Sequence, residues 1–191
     1  MQHHPAEMAR YRSSATPILP EHAAFIARAS LVFVMSGAPD AAPDVSPRGD
    51  APGFVRIVDN ARLQLPDRLG NNRIDTMQNI LQDPRVALVF INPRDCHALD
   101  VTGSAEILTM PALLAEFEYK KRLPRSVMEI TVTSATLRHS CAFEAAGFWA
   151  SGTNTEVPIW SLGEALADQV GGMTKEEAEG LVSNSYQNKL Y

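Results

Sequence analysis

The stretch VALVFINPRDCHALDVTGSAEIL, Val86 to Leu108, carries the reading of the fold. Val86 to Ile91 is unbroken apolar, the pattern of a strand covered on both faces. Leu99, Val101, Gly103, Ala105 and Ile107 then alternate with Asp100, Thr102, Ser104 and Glu106, the two-residue period of a half-buried strand. Further out, Met128, Ile130 and Val132 alternate with Glu129, Thr131 and Thr133 as a last long strand. On the N-terminal side, Leu31 to Met35 is β-rich and runs into the turn signals of SGAPDAAPD, with Asp44 to Pro47 returning. Val55 to Val58 and Arg62 to Leu65 form a further pair around Asp59-Asn60.

The helical signals are shorter. They predict Glu21–Ala29, with Ala24, Phe25 and Ala29 on one face, then Ile74–Leu81, Pro111–Lys120 and His139–Ala146. Leu162–Val170 and Thr174–Asn188 follow, the latter opened by a capping box of Thr174 and Glu177. Six or more short strands with few long helices between them favour a closed antiparallel barrel over a doubly wound parallel sheet. The expected fold class is mainly β with flanking helices (α+β). The expected division is an arm at 1–20, a barrel domain at 21–160 and a C-terminal helical extension at 161–191.

A chain of 191 residues with 45% hydrophobic and 20% charged side chains is globular and long enough to fold without a staple. Its net charge of −5 predicts no general attraction to nucleic acid or to an anionic membrane, so any anion must meet a local basic cluster. Cys96 and Cys141 lie far apart in sequence, form no CxxC pair and no metal-ligand spacing, and read as two small hydrophobes of a reducing compartment. The N-terminus has no apolar signal core, and Phe25 to Met35, which contains Arg28, is too short to span a bilayer. A cytoplasmic protein without a metal is expected.

No GxGxxG, GxxxxGK[ST], HExxH or GxSxG pattern is present. Two basic segments stand out instead: Ser46-Pro47-Arg48-Gly49-Asp50, and Asp67-Arg68-Leu69-Gly70-Asn71-Asn72-Arg73 running into a helix. With Asn72 as N-cap, the first-turn N–H groups would be free to receive an anion. Arg68 and Arg73 add forked donors matched to phosphate oxygens, and Gly70 lets the backbone approach. The same residues equally describe a capped helix with two solvated arginines, and SPRGD a polar strand end.

Together, SPRGDAPGFVRIVD and LQLPDRLGNNRIDTMQNILQDPRVALVFINP resemble the FMN-binding proteins related to pyridoxamine 5′-phosphate oxidase, in particular the FMN-dependent flavoproteins of that group with mostly unassigned substrates. The resemblance covers Phe25 to Trp149, with a weaker echo over Ser161 to Gln169. It implies an antiparallel split β-barrel that forms a homodimer, with FMN in grooves at the subunit interface. On that likeness Ser46, Arg48 and Gly49 line the flavin. Arg68, Asn71, Asn72 and Arg73 hold the phosphate and ribityl chain, and Pro66 and Asp67 sit near the ring edge.

Two departures bear on function. Members of the group often carry a His-Cys pair and then a lysine where this chain has Arg138-His139-Ser140-Cys141. His139 is therefore a candidate proton donor, with a helix cap or a buried histidine as the alternatives. No counterpart of the substrate-phosphate arginines of the true oxidases is evident, so vitamin salvage is not the first choice. The resemblance implies an oxidoreductase in which FMN accepts hydride from a reduced nicotinamide or another small molecule. The alternatives are a non-catalytic flavin carrier or redox sensor, or a split barrel holding deazaflavin or haem. No catalytic residue is assigned. Tyr191, an aromatic terminus on the last helix, is a candidate for contact with a partner's flavin.

Overall fold

The computed structural model describes residues 18–39, 41–68, 74–93, 95–149 and 161–188. A helix α1 (Pro20–Arg28) precedes β1 (Leu31–Ala38), β2 (Ala41–Gly49), β3 (Arg56–Ile57) and β4 (Arg62–Pro66). Then come α2 (Asp75–Gln82), β5 (Arg85–Ile91), β6 (His97–Leu108), α3 (Pro111–Glu116), β7 (Val127–His139) and α4 (Cys141–Ala145). Two helices, α5 (Leu162–Val170) and α6 (Lys175–Asn188), end the chain. The seven strands form one antiparallel sheet in the order β2-β1-β5-β6-β7-β4-β3.

Strand alternation builds the core. Val32 and Val34 of β1, Leu88 and Phe90 of β5, Leu99 and Val101 of β6, Met128 and Ile130 of β7 and Leu63 and Leu65 of β4 point to one side and are buried. Helix α1 adds Phe25 and Ile26, and α2 adds Ile80. The buried polar groups of α2 are matched by partners: Asn79 Nδ2 donates to Ser36 Oγ at 3.2 Å and Thr76 Oγ1 to Asp44 Oδ2 at 2.7 Å. These bonds fix α2 across β1 and β2.

The sheet curls but does not close by ladder hydrogen bonds. Its edges are β2 on one side and β3–β4 on the other, so the closed barrel expected from strand count is corrected to a split one. Its curvature has a local source. The β6–β7 register shifts between Thr102, opposite Ser134, and Gly103, opposite Val132, which leaves Thr133 as the extra residue of a bulge.

Several element boundaries depart from expectation for identifiable reasons. Up to Phe90 the burial of β5 alternates, because a curled antiparallel sheet has one core face: Val86, Leu88 and Phe90 are buried, Ala87 and Val89 half-buried, and only the terminal Ile91 breaks the pattern. The apolar outer face of β1, β2 and β5 explains the unbroken run: Phe33 lies between Pro47 and Val89, and Met35 between Val45 and Ala87. On α1, Ala24 is exposed, and the buried face is His22, Phe25 and Ile26; His22 is accommodated there because its Nδ1 accepts the Leu19 N–H.

Helix α3 stops at Glu116 instead of Lys120. Beyond it, Tyr119 and Arg122 exchange backbone bonds of 3.0 and 2.9 Å around Lys120 and Lys121, both left-handed at φ 47° and 63°. Strand β7 extends to His139, so that residue ends a strand and caps no helix. The residue at the N-cap of α2 is Ile74, without a side-chain cap bond, in place of the expected Asn72. Cys141 is exposed, not packed as a small hydrophobe, while Cys96 is half-buried.

At the C-terminus both helices open with capping boxes. Ser161 Oγ accepts from the Glu164 N–H at 3.0 Å and the Glu164 carboxylate accepts from the Ser161 N–H at 2.9 Å. Thr174 and Glu177 pair in the same way, as their spacing predicts. The helices touch at Gly163, where a Cβ would lie 2.3 Å from Glu179 Cγ and 3.0 Å from its backbone nitrogen. Gly163→Ala should push α5 off α6 and loosen the hairpin by about 1–3 kcal/mol. Amide exchange should accelerate in residues 162–188 and stay unchanged in the sheet; protection retained throughout the hairpin would contradict this packing.

Candidate functional site

The two sheet edges meet at the C-terminal ends of β2 and β4. On β2, Ser46 and Arg48 share the face of Val34 and Val32, their cross-strand neighbours, and so point inward. On β4, Leu63 and Leu65 belong to the core, and the two-residue period of the strand carries that face on to Asp67 one residue past its end, while Gln64 and Pro66 are buried on the other face. Arg48 and Asp67 therefore meet inside the seam: Arg48 Nη1 donates to Asp67 Oδ1 at 2.9 Å, with only 15% and 19% of the two side chains exposed. A second clasp lies beside the first, where Arg68 Nε donates to Asp50 Oδ2 at 2.8 Å.

These clasps hold the seam where the ladder cannot. Both are charge-assisted and partly desolvated, so they are worth more than exposed ion pairs and are costly to break one-sidedly. Burial pushes the Asp67 carboxyl above its usual value, against the pull of Arg48 and Arg125. Arg48 Nε is buried with no hydrogen-bond partner among the described residues. An orphaned guanidinium N–H beside a buried Ser46 marks a place for an acceptor oxygen.

Residues 117–126 form a third wall. The Asp67 N–H donates to the Ser126 carbonyl at 2.9 Å and the Arg125 N–H to the Asp67 carbonyl at 3.2 Å. Arg68 also donates to the Phe117 carbonyl and lies 5.4 Å from the Tyr119 ring centroid, while Arg56 covers the Phe117 ring at 4.0 Å. Sequence reasoning missed this wall. Its signal is the run YKKRLPR, Tyr119 to Arg125, four cations without a carboxylate in an acidic chain.

The structure thus brings together Ser46, Arg48 and Gly49 at the end of β2 with Pro66, Asp67 and Arg68 at the end of β4. Asn71, Asn72 and Arg73 lie outside the described residues, as does Tyr191. The candidate proton donor His139 is elsewhere, opposite His97 across β7 and β6, and more exposed than a buried histidine. Their rings meet edge-on at 5.3 Å; His97 Nδ1 is 2.6 Å from Asp95 Oδ1 and His139 Nε2 is 3.4 Å from Glu144 Oε2. Among the described residues no group of three or more His, Cys, Asp and Glu side chains is set to hold a metal, and no helix is long and apolar enough to cross a membrane.

Comparison with known proteins agrees with this architecture. HupZ of Group A Streptococcus matches with a TM-score of 0.52 at 18% identity, over 64% of this chain and 95% of that one. A Lactobacillus delbrueckii protein, provisionally named a pyridoxamine 5′-phosphate oxidase, matches with a TM-score of 0.50 at 21% identity, over 63% of this chain and 93% of its own. At such identities these likenesses speak for the fold alone. No curated protein matches in sequence. The family model described as pyridoxamine 5′-phosphate oxidase matches residues 18–139, which hold every strand of the sheet and both sides of the clasped seam. With its split antiparallel sheet and a match over more than half its length, the chain belongs to the pyridoxamine 5′-phosphate oxidase family.

Proposed function

We propose that the chain is a flavoprotein that binds FMN along the β2–β4 seam and serves as an oxidoreductase on a small molecule, with a reduced nicotinamide as one candidate donor. The observation that carries this reading is the orphaned, buried Arg48 Nε beside Ser46, in a seam where arginines converge within an otherwise acidic protein. A group rich in carbonyl and phosphate oxygens fits that donor set. When bound, FMN supplies the hydride chemistry. The chain's part is to bind and orient: Arg48 and Ser46 offer donors to acceptor oxygens, and Gly49 and Pro66 add backbone without bulk. Arg68, Asn71, Asn72 and Arg73 hold the phosphate and ribityl end, while Asp67 keeps Arg48 in place and sits near the ring edge.

The reading includes a cytoplasmic homodimer with FMN at its interface. The outer face of β1, β2 and β5 supports it, since Phe33, Met35, Ala87 and Val89 are only half-covered and Val45 is 57% exposed. A contiguous apolar sheet face of this kind marks an association surface.

The absorption spectrum of the purified protein, with the chromophore then released by heat and weighed, is the direct test. A two-band flavin spectrum and the mass of FMN are expected, whereas a colourless protein that ignores added FMN sinks the proposal. Arg68→Ala and Arg73→Ala should each weaken FMN binding by about 1.5–3 kcal/mol, the scale of a hydrogen bond to a charged group. Full flavin retention in the double variant would remove the phosphate assignment while leaving the fold intact.

A further inference from the structure

We propose that the α5–α6 hairpin of one chain docks on the Lys120–Arg122 turn of a second copy, so that two chains exchange their C-terminal helices. The hairpin is acidic: Glu164, Asp168, Glu176, Glu177 and Glu179 face a single cation, Lys175, which is already paired with Glu164. Asp168 and Glu176 are exposed on it, together with Leu162, Val170 and Leu181, the last at 52%. The helices pack on each other through Gly163, Ala178 and Glu179. The hairpin thus exposes both apolar and negatively charged side chains.

The turn has the opposite character. Lys120 and Lys121 occupy left-handed backbone, which glycine or asparagine adopts more readily than lysine. This conformation sets Lys120, Lys121 and Arg122 out into solvent, with Leu123 beside them at 50% exposure. Among the described residues no carboxylate pairs with Lys121 or Arg122. One chain therefore carries two exposed patches of opposite charge, each with an exposed leucine.

A two-fold axis satisfies both patches at once. In a symmetric dimer residue i of one copy meets residue j of the other and the reverse, so a single kind of contact is made twice. A docked hairpin would neutralise the turn and cover the exposed leucines. This arrangement needs no flavin, and its test is independent of cofactor content.

The test is zero-length carbodiimide crosslinking of an equimolar mixture of nitrogen-15-labelled and unlabelled full-length protein, after subunit exchange. Crosslinked peptides joining Lys120 or Lys121 to Asp168 or Glu176, one half labelled and the other not, are the expected product. Lys120→Glu/Lys121→Glu/Arg122→Glu in the turn removes the amines, and Asp168→Lys/Glu176→Lys in the hairpin removes the carboxylates, so neither variant alone can form that product. Both sets leave the capping boxes and the Gly163 contact intact. Mixing the turn variant with the hairpin variant should restore crosslinking at the same positions, because each hairpin then meets a turn of opposite sign on the other chain. Crosslinks found only within one isotope place the hairpin on its own chain and overturn the exchange. Their absence from a mixture that has exchanged subunits overturns the docking altogether, and inorganic phosphate protecting the turn's lysines from acylation would then identify its occupant as a small anion.

Discussion

Gly103→Ala should destabilise the protein by about 3 kcal/mol or more, the upper range for overpacking a core, and lower its melting temperature by roughly 6–12 °C for a chain of this size. A Cβ at position 103 would stand 2.1 Å from the Thr131 carbonyl oxygen and 3.2 Å from Val132 Cα. These are backbone atoms of the neighbouring strand, in the middle of the longest strand pair of the sheet, so no rotamer can relieve the clash. The residue sits at the β6–β7 bulge, which bends the sheet and brings its edges toward each other. The cost should therefore extend beyond the local ladder to the seam.

Gly180→Ala provides the control. A Cβ there meets nothing within 4 Å on an exposed helix, so the same substitution should be neutral or stabilising by up to about 1 kcal/mol. Denaturant melts of the two variants decide the matter. Equal midpoints would mean that β6 and β7 do not approach as closely as described.

This contrast shows what the sequence carries and what it does not. Gly103 reads as one more small residue on the apolar face of an alternating strand, because period-two alternation reports the face and not the distance to the neighbouring strand. The strands at Leu31, Val86, Leu99 and Met128 are legible because each buries mainly one face, and the Thr174 capping box because its spacing states its own geometry. The ends of α3 and β7 were not legible. Whether a helix stops at Glu116 depends on Arg68, 49 positions away from Phe117, reaching its carbonyl, and on the Tyr119–Arg122 turn behind it. In the site, the arginines of SPRGD and DRLGNNR stand out by charge alone in an acidic chain. Their carboxylate partners do not, since Asp50 and Asp67 look like turn residues until the sheet curls and brings them across the seam. For the same reason the wall at 117–126 is invisible to local patterning, although its run of cations could have drawn attention.

Arg48→Met should cost about 2–3 kcal/mol at neutral pH, somewhat below the usual penalty for stripping one partner from a fully buried pair, because the seam keeps some solvent contact. The stem of Arg48 is replaced at similar volume, so the loss is mainly electrostatic: Asp67 is left beside the core with Arg125 as its remaining cation. The pH dependence identifies the cause. Burial already holds the Asp67 carboxyl above its value in the unfolded chain, and removing Arg48 raises it further. A group whose folded value is raised binds its proton more tightly when folded. Its contribution to stability is therefore complete below the unfolded carboxylate value and is lost as the pH rises through the folded one. The gap between wild type and Arg48→Met should thus be widest at neutral pH and close as the solution is acidified through the carboxylate range. Asp67→Asn in the Arg48→Met background should recover much of the loss, since the amide leaves no charge to strand, and it should flatten the pH dependence. FMN retention offers a separate readout: Arg48→Met should lose flavin even under conditions where its stability matches the wild type, because the orphaned Nε donor is gone. A variant equally destabilised at every pH would assign Arg48 to packing alone, and one that also keeps its flavin would remove it from the site.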